Sequence, residues 1–99
     1  MIHTKQELLS LLNANRDKIL SFGVERLGLF GSFVRDEANE ESDVDFIVEF
    51  KPESNRFRNL SSLYDFLNVI TERKVEVISK DAIKSKRGMK ILSTAQYVI

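Results

Sequence analysis

Asp43 and Asp45 stand two residues apart in the run Asp43-Val44-Asp45-Phe46-Ile47-Val48. On an extended strand, residues two apart leave the same face, with Cα atoms about 6.5–7 Å apart. Two carboxylates brought to about 4 Å repel by about 4 kcal/mol at an effective dielectric of 20. A fold accommodates that only with water, a cation or a proton between them. Acid pairs at solvated strand ends are common, but this strand continues through Phe46, Ile47 and Val48 and reads as interior. A pair at the mouth of such a strand favours a metal site. Upstream of it, separated by ten residues, is Gly31-Ser32. A Gly-Ser turn between a strand and a helix allows close approach and offers backbone N–H groups and a hydroxyl to an anion. Neither half is specific alone. An Asp-x-Asp run occurs in phosphatases, glycosyltransferases and nucleases, and Gly-Ser occurs in ordinary turns. Phe46-Ile47 after the second Asp speaks against a haloacid-dehalogenase phosphatase, and there is no G-x-x-x-x-G-K or G-x-G-x-x-G phosphate loop.

The elements that must position these residues alternate along the chain. Thr4 and Glu7 form a capping box for a first helix whose apolar face is Leu8, Leu11, Leu12, Ile19 and Leu20, with Gly23 as its stop. Arg26–Phe30 reads as a strand ending at Gly31-Ser32, Phe33–Asp36 as the opening of a short helix, and Glu37–Ser42 as an acidic loop. Asp43–Phe50 is the second strand, with Val44, Phe46, Val48 and Phe50 on one face and Asp43, Asp45, Ile47 and Glu49 on the other. Pro52 ends it, and Lys51–Asn59 is the most loop-like stretch. Leu60, Leu63, Tyr64, Leu67 and Ile70 mark a second long helix, with Phe66 widening its buried face; Lys74–Ile78 is a third strand. The tail from Asp81 is expected to be helical in pieces, interrupted near Gly88, with Met89, Ile91 and Leu92 offered to the core. The order α-β-α-β-α-β-α predicts a compact α/β layer fold, read as one domain over residues 1–99.

Composition narrows the chemistry. There is no Cys, hence no disulfide, thiolate nucleophile or Cys-ligated zinc, and the one histidine, His3, has no visible acid or Ser partner. The longest apolar runs are a few residues, so no membrane span and no signal peptide are expected, and the compartment is read as cytoplasmic. Fifteen basic and fifteen acidic residues cancel, against a general nucleic-acid binder. The balance is segregated. Asp36 to Glu49 holds seven acids and no base, and Arg73 to Lys90 holds seven bases and two acids. That suits a cation site beside an anion site, and equally two solvated faces.

Taken together, Phe30-Gly31-Ser32 and Asp43-Val44-Asp45-Phe46 resemble the apolar-Gly-Ser…Asp-apolar-Asp-apolar signature of the DNA polymerase beta-type nucleotidyltransferases. The run from Gly31-Ser32-Phe33-Val34-Arg35 through Ser42-Asp43-Val44-Asp45 is similar to the minimal nucleotidyltransferases, or MNT proteins. The resemblance implies a small mixed sheet flanked by helices and in-line nucleotidyl transfer with two Mg²⁺ ions. It assigns Asp43, Asp45 and a third carboxylate, Glu76, to the metals, and Gly31 and Ser32 to the triphosphate, usually ATP. Glu76 could also accept the attacking hydroxyl's proton. Arg35 is a candidate phosphate contact, about as readily read as pairing with nearby acids. Lys84, Lys86, Arg87 and Lys90 read first as a solvated face, with nucleotide contact as the second reading. Two departures stand out: Glu76 where relatives often have Asp, and Asp36 where they commonly have Gly, which would place an extra acid near the phosphate turn.

A chain of 99 residues has no room for an acceptor-binding domain of its own. The resemblance implies that stand-alone MNT chains act as antitoxins paired with a HEPN-domain ribonuclease toxin, transferring AMP to one of its tyrosines. Two other readings stay open: a non-catalytic binding antitoxin, and a small-molecule nucleotidyltransferase that completes its site as an oligomer.

Overall fold

The N-terminal cap forms as the sequence directs. Thr4 Oγ1 accepts from the Glu7 N–H at 3.1 Å, and Glu7 Oε1 accepts from the His3 N–H at 3.3 Å. The helix that follows is two helices in the computed structural model, which describes residues 2–83 and 85–99, with the side chain of Arg87 outside the description. Helix α1 (Lys5–Ala14) ends where the Asn15 amide turns back to the Leu11 carbonyl at 2.9 Å, and α2 (Arg16–Leu20) restarts after it. A short polar side chain that bonds the preceding turn competes with the helical ladder, which periodicity does not register. Gly23, at φ +78°, then reverses the chain into β1 (Val24–Phe30).

The expected short helix at Phe33–Asp36 is absent. Instead two turns close on each other, Asp36 N–H to Phe33 O at 3.2 Å and Glu37 N–H to Ser32 O at 2.9 Å, and Asp36 takes a left-handed φ of 56°. That conformation suits Gly, and among other residues Asp and Asn tolerate it best. The Asp36 carboxylate accepts from the Lys5 N–H at 3.1 Å, so it serves the first turn of α1.

Strand β2 (Val44–Phe50) begins one residue after Asp43. Helix α3 (Arg56–Thr71) starts earlier than expected because Asn55 caps it, accepting from the Arg58 N–H at 3.2 Å, so Arg56–Asn59 is helix rather than loop. Strand β3 (Val75–Ser79) leads through a 3₁₀ turn (Lys80–Ala82) to α4 (Lys86–Thr94), which runs unbroken through Gly88. A fourth strand, β4 (Gln96–Tyr97), was not expected; two residues carry no readable alternation. Lys84 lies outside the described residues.

The sheet order is β3-β2-β1-β4, with β1 antiparallel to both β2 and β4 and β2 parallel to β3. Val44, Phe46, Val48 and Phe50 join Leu27 and Leu29 of β1 in one core with Leu8, Leu12 and Ile19 below and Leu63 and Leu67 of α3. Phe33 is also buried there, whereas Phe22 and Phe66 pair at its edge with ring centroids 5.5 Å apart. The opposite sheet face carries Asp45, Ile47 and Glu49; α4 lies across a cleft from Asp45, and Glu49 pairs with Lys80 at 3.2 Å. That helix does not supply the core residues expected of it: Met89 is 58% exposed and Ile91 and Leu92 are half-buried.

Candidate active site

The parallel register pairs Asp45 of β2 with Glu76 of β3, and the antiparallel register pairs Asp45 with Phe30 of β1. Directly paired residues point to the same sheet face, so Glu76 flanks Asp45 there. Asp43 sits just outside the ladder, exposed at the strand mouth, close enough for its charge to act on Asp45. Glu76 is also exposed and reaches hydrogen-bonding distance of the Asp45 carboxyl. Burial, then the charges of Glu76 and Asp43, then the hydrogen bond to Glu76 push the Asp45 pKa up to about 6, with Arg35 pulling modestly the other way.

On the other side of Asp45 is the turn. Gly31 has φ +78°, and its missing side chain is filled by the Asp45 carboxylate: a Cβ there would collide with Asp45 Oδ2. Ser32 is half-buried, with its carbonyl spent on the Glu37 N–H and its hydroxyl without a partner among the described residues. Arg35 is exposed and donates to Glu37 at 2.9 Å, yet still borders the cleft. That cleft, about 550 Å³, runs between Gly31 and α4, where Lys90 and Thr94 face it. A second hollow of about 430 Å³ opens on the Glu76 side of Asp45, walled by Ile78, Ile83 and Gly88. Asp45 borders both. Arg35 and Lys90 on the first hollow suit phosphate, and Glu76 at the second suits an acceptor hydroxyl.

A hard divalent cation fits the chemistry of this donor set, which is all oxygen and carries a carboxylate strained by two like charges. Among the described residues no group of three or more His, Cys, Asp or Glu side chains stands close enough together to hold a metal ion, so Asp43, Asp45 and Glu76 do not form a ready three-carboxylate site. An ion here would take Asp45 with Asp43 or Glu76 and complete its shell with water and phosphate oxygens, as Mg²⁺ commonly does.

The fold changes the weight of two sequence readings. Lys90, read first as part of a solvated face and second as a nucleotide contact, borders the cleft because α4 folds back over the sheet. Asp36, expected near the phosphate turn as an extra acid, is instead occupied by α1 and does not figure among the charges acting on Asp45.

Asp45 makes the metal-free chain acid-stabilised over a narrow window. Its folded pKa lies above the unfolded value of 3.8, so the native state holds the proton more tightly, and stability falls as pH rises from about 4 to about 6. Asp45→Asn is expected to flatten that slope and to stabilise the metal-free protein above pH 6 by about 1–2 kcal/mol, allowing for solvent screening of a half-buried group. Thermal midpoints in a chelator across pH 4–8 check this; a variant that keeps the wild-type slope contradicts it. Metal binding, which needs the carboxylate, should strengthen through the same window. Ser32→Ala is expected to change stability by no more than about 0.5 kcal/mol. It should weaken triphosphate binding measurably by calorimetry, and unchanged affinity would remove Ser32 from the site.

Comparison with known proteins gives this geometry its context. A family model described as "Nucleotidyltransferase domain" matches residues 9–98. The chain is 34% identical over 96 residues to the protein adenylyltransferase MntA of Thermococcus cleftensis, covering 96% of both chains. A solved chain described as a minimal nucleotidyltransferase superposes with a TM-score of 0.70 at 28% identity, covering 89% of this chain and 93% of that one. A mutant MntA–HpeT toxin–antitoxin structure gives a TM-score of 0.62 at 12% identity over 97% of this chain and 72% of that one, a likeness of fold. Among the described residues no helix is long and apolar enough to cross a membrane. With a mixed sheet that sets Asp45 between Glu76 and the Gly31-Ser32 turn, and relatives of this closeness along nearly its whole length, the chain belongs to the nucleotidyltransferase domain family.

Proposed function

We propose that this chain is a Mg²⁺-dependent protein adenylyltransferase acting as an antitoxin, which moves AMP from ATP to a tyrosine of a HEPN-type toxin ribonuclease in the cytoplasm. The observation that carries the reading is Asp45, with Glu76 paired beside it across the sheet, the charge of Asp43 acting on it and Gly31 packed against its carboxylate, at the border of two hollows, one of them lined by Arg35 and Lys90. Support for the partner comes from the relative named a protein adenylyltransferase and from fold neighbours solved as toxin–antitoxin assemblies, one of them with AMP-PNP.

In this reading Gly31 and Ser32 present backbone and hydroxyl donors to the β- and γ-phosphates, and Lys90 and Arg35 offset their charge. The tyrosyl oxygen forms a bond to the α-phosphorus while the bond to the bridging oxygen of the β-phosphate breaks, and pyrophosphate leaves. The tyrosyl proton passes to Glu76 and from there to water. Asp43, Asp45 and Glu76 are the residues that would hold divalent ions, which when bound would supply Lewis acidity at the transferring group.

Incubation with ATP, Mg²⁺ and the candidate toxin, followed by intact mass of both chains, tests the proposal. The expected result is one added AMP on the toxin, mapped to tyrosine. A tight complex with no mass change favours masking, and modification of a small molecule alone favours the third reading.

A further inference from the structure

Arg73 is 7% exposed, whereas Lys74, Lys86 and Lys90 of the same basic stretch are exposed. Its guanidinium is held by main-chain carbonyls rather than by a carboxylate. Nε and Nη2 donate to the Ile2 carbonyl at 3.2 and 2.9 Å, and Nη1 donates to those of Asn39 at 2.8 Å, Glu40 at 3.4 Å and Ser42 at 2.8 Å. It also lies over the ring of Phe33, 5.1 Å from its centroid. Three segments therefore meet on one side chain: the N-terminal residues, the acidic loop, and the turn that carries Ser32.

The loop needs such a fixture. From Glu37 to Asp43 it has no regular ladder; within it, Ser42 N–H reaches Asn39 O at 3.1 Å and Ser42 Oγ accepts from the Asn39 N–H at 2.9 Å. The strand ladder takes hold only at Val44, whose N–H donates to Lys74 O at 3.1 Å. Asp43 lies between the two, exposed, with its backbone set on the preceding side by the Ser42 carbonyl that Arg73 holds. A planar fork with donors in fixed directions can hold several carbonyls at once, which a lysine ammonium cannot do with the same geometry.

We infer that Arg73 is a positioning residue for the metal site, fixing the Asn39–Ser42 loop so that Asp43 faces Asp45. This rests on the nucleotidyl-transfer reading, since it concerns the ion that Asp43 and Asp45 would share. The test is Arg73→Lys, which keeps the charge and loses the fork. Hydrogen exchange should quicken at residues 40–43 while β1 and β2 stay protected. Calorimetric titration with Mn²⁺ or Mg²⁺, without nucleotide, should show affinity weakened about tenfold or more. In AMP transfer, the metal concentration for half-maximal rate should rise by a similar factor, with the KM for ATP at saturating metal within about threefold of wild type. A lower thermal midpoint with metal affinity and metal requirement unchanged overturns the inference and leaves Arg73 a purely structural clamp. Should Arg73→Lys fail to fold, one glycine inserted between Glu40 and Glu41 loosens the same loop at an exposed site with Arg73 intact. It is expected to raise the metal requirement likewise, and a wild-type requirement there also overturns the inference. If the wild-type protein neither binds the ion nor transfers AMP, the nucleotidyl-transfer reading itself falls and this inference with it.

Discussion

The Asp43→Asn, Asp45→Asn double variant is expected to fold, to bind its partner, and to lose AMP transfer by a factor on the order of 10³ or more. Folding survives because Asn matches Asp in volume and the change removes a partly buried charge together with its repulsion from Glu76 and Asp43, the causes that raise the Asp45 pKa to about 6. Its thermal midpoint without metal should therefore equal or exceed that of wild type. Transfer fails because neutral amides are poor anchors for the ions that stabilise charge on the phosphoryl group. Catalytic protection needs no stable complex, since one transferase can modify many toxin molecules. Titrating wild type and variant against a fixed amount of toxin in a ribonuclease assay separates the mechanisms: wild type should protect below equimolar ratio with ATP and Mg²⁺ present, and the variant should not protect by modification at any ratio. Full protection by the variant at equimolar ratio, with no AMP added, is the result that sinks the enzymatic reading.

Gly31→Ala is the second change with a large expected effect, and it acts through shape. The residue sits at φ +78°, where an L side chain costs about 1–2 kcal/mol, and its Cβ would collide with Asp45 Oδ2. The carboxylate can escape only by rotating away from Gly31, which takes it out of its present alignment with Glu76 and Asp43. We expect a loss of stability of about 1–3 kcal/mol and a fall in transfer of about 10²-fold or more, the scale of an ångström-sized misplacement of a reacting group. Gly23→Ala is the control. Gly23 also has φ +78°, but its Cβ would crowd Ser54 and Asn59 at a remote turn. It should cost stability and leave the specific activity of the folded protein unchanged. If Gly31→Ala retains wild-type kcat, the close packing of turn against Asp45 has no part in the chemistry.

What could be read in the residues, and what could not, follows from how far apart the cooperating groups are. Alternation along Val44–Phe50 put Asp45 on the face away from the core, and the structure places it there because four apolar partners hold the other face. The motif resemblance singled out Glu76, and the parallel register sets it beside Asp45. Local competition was harder to see. Asn15 breaks a helix that periodicity runs straight through, and Phe33–Asp36 has helical spacing but closes as turns. Contacts across most of the chain were not legible. Arg73 looks like one more charge in a basic tail, and nothing near it in sequence tells that its partners are Ile2 and the carbonyls of Asn39–Ser42. Main-chain carbonyls are present at every position, so a side chain that binds them leaves no compositional trace.

That clamp has a consequence in time as well as in space. The bond from Arg73 to Ile2 spans 71 positions, so it closes a loop that takes in most of the chain. Loop-closure entropy makes such a contact a late arrival, formed after the sheet has already been assembled. An interaction absent from the folding transition state contributes little to the speed of folding and much to the slowness of unfolding. Arg73 is then a latch on the lifetime of the native chain: weakening it should leave refolding rates nearly unchanged while the folded molecule opens sooner. Where a protease cleaves the opened form faster than it can reclose, that interval sets how long each copy persists.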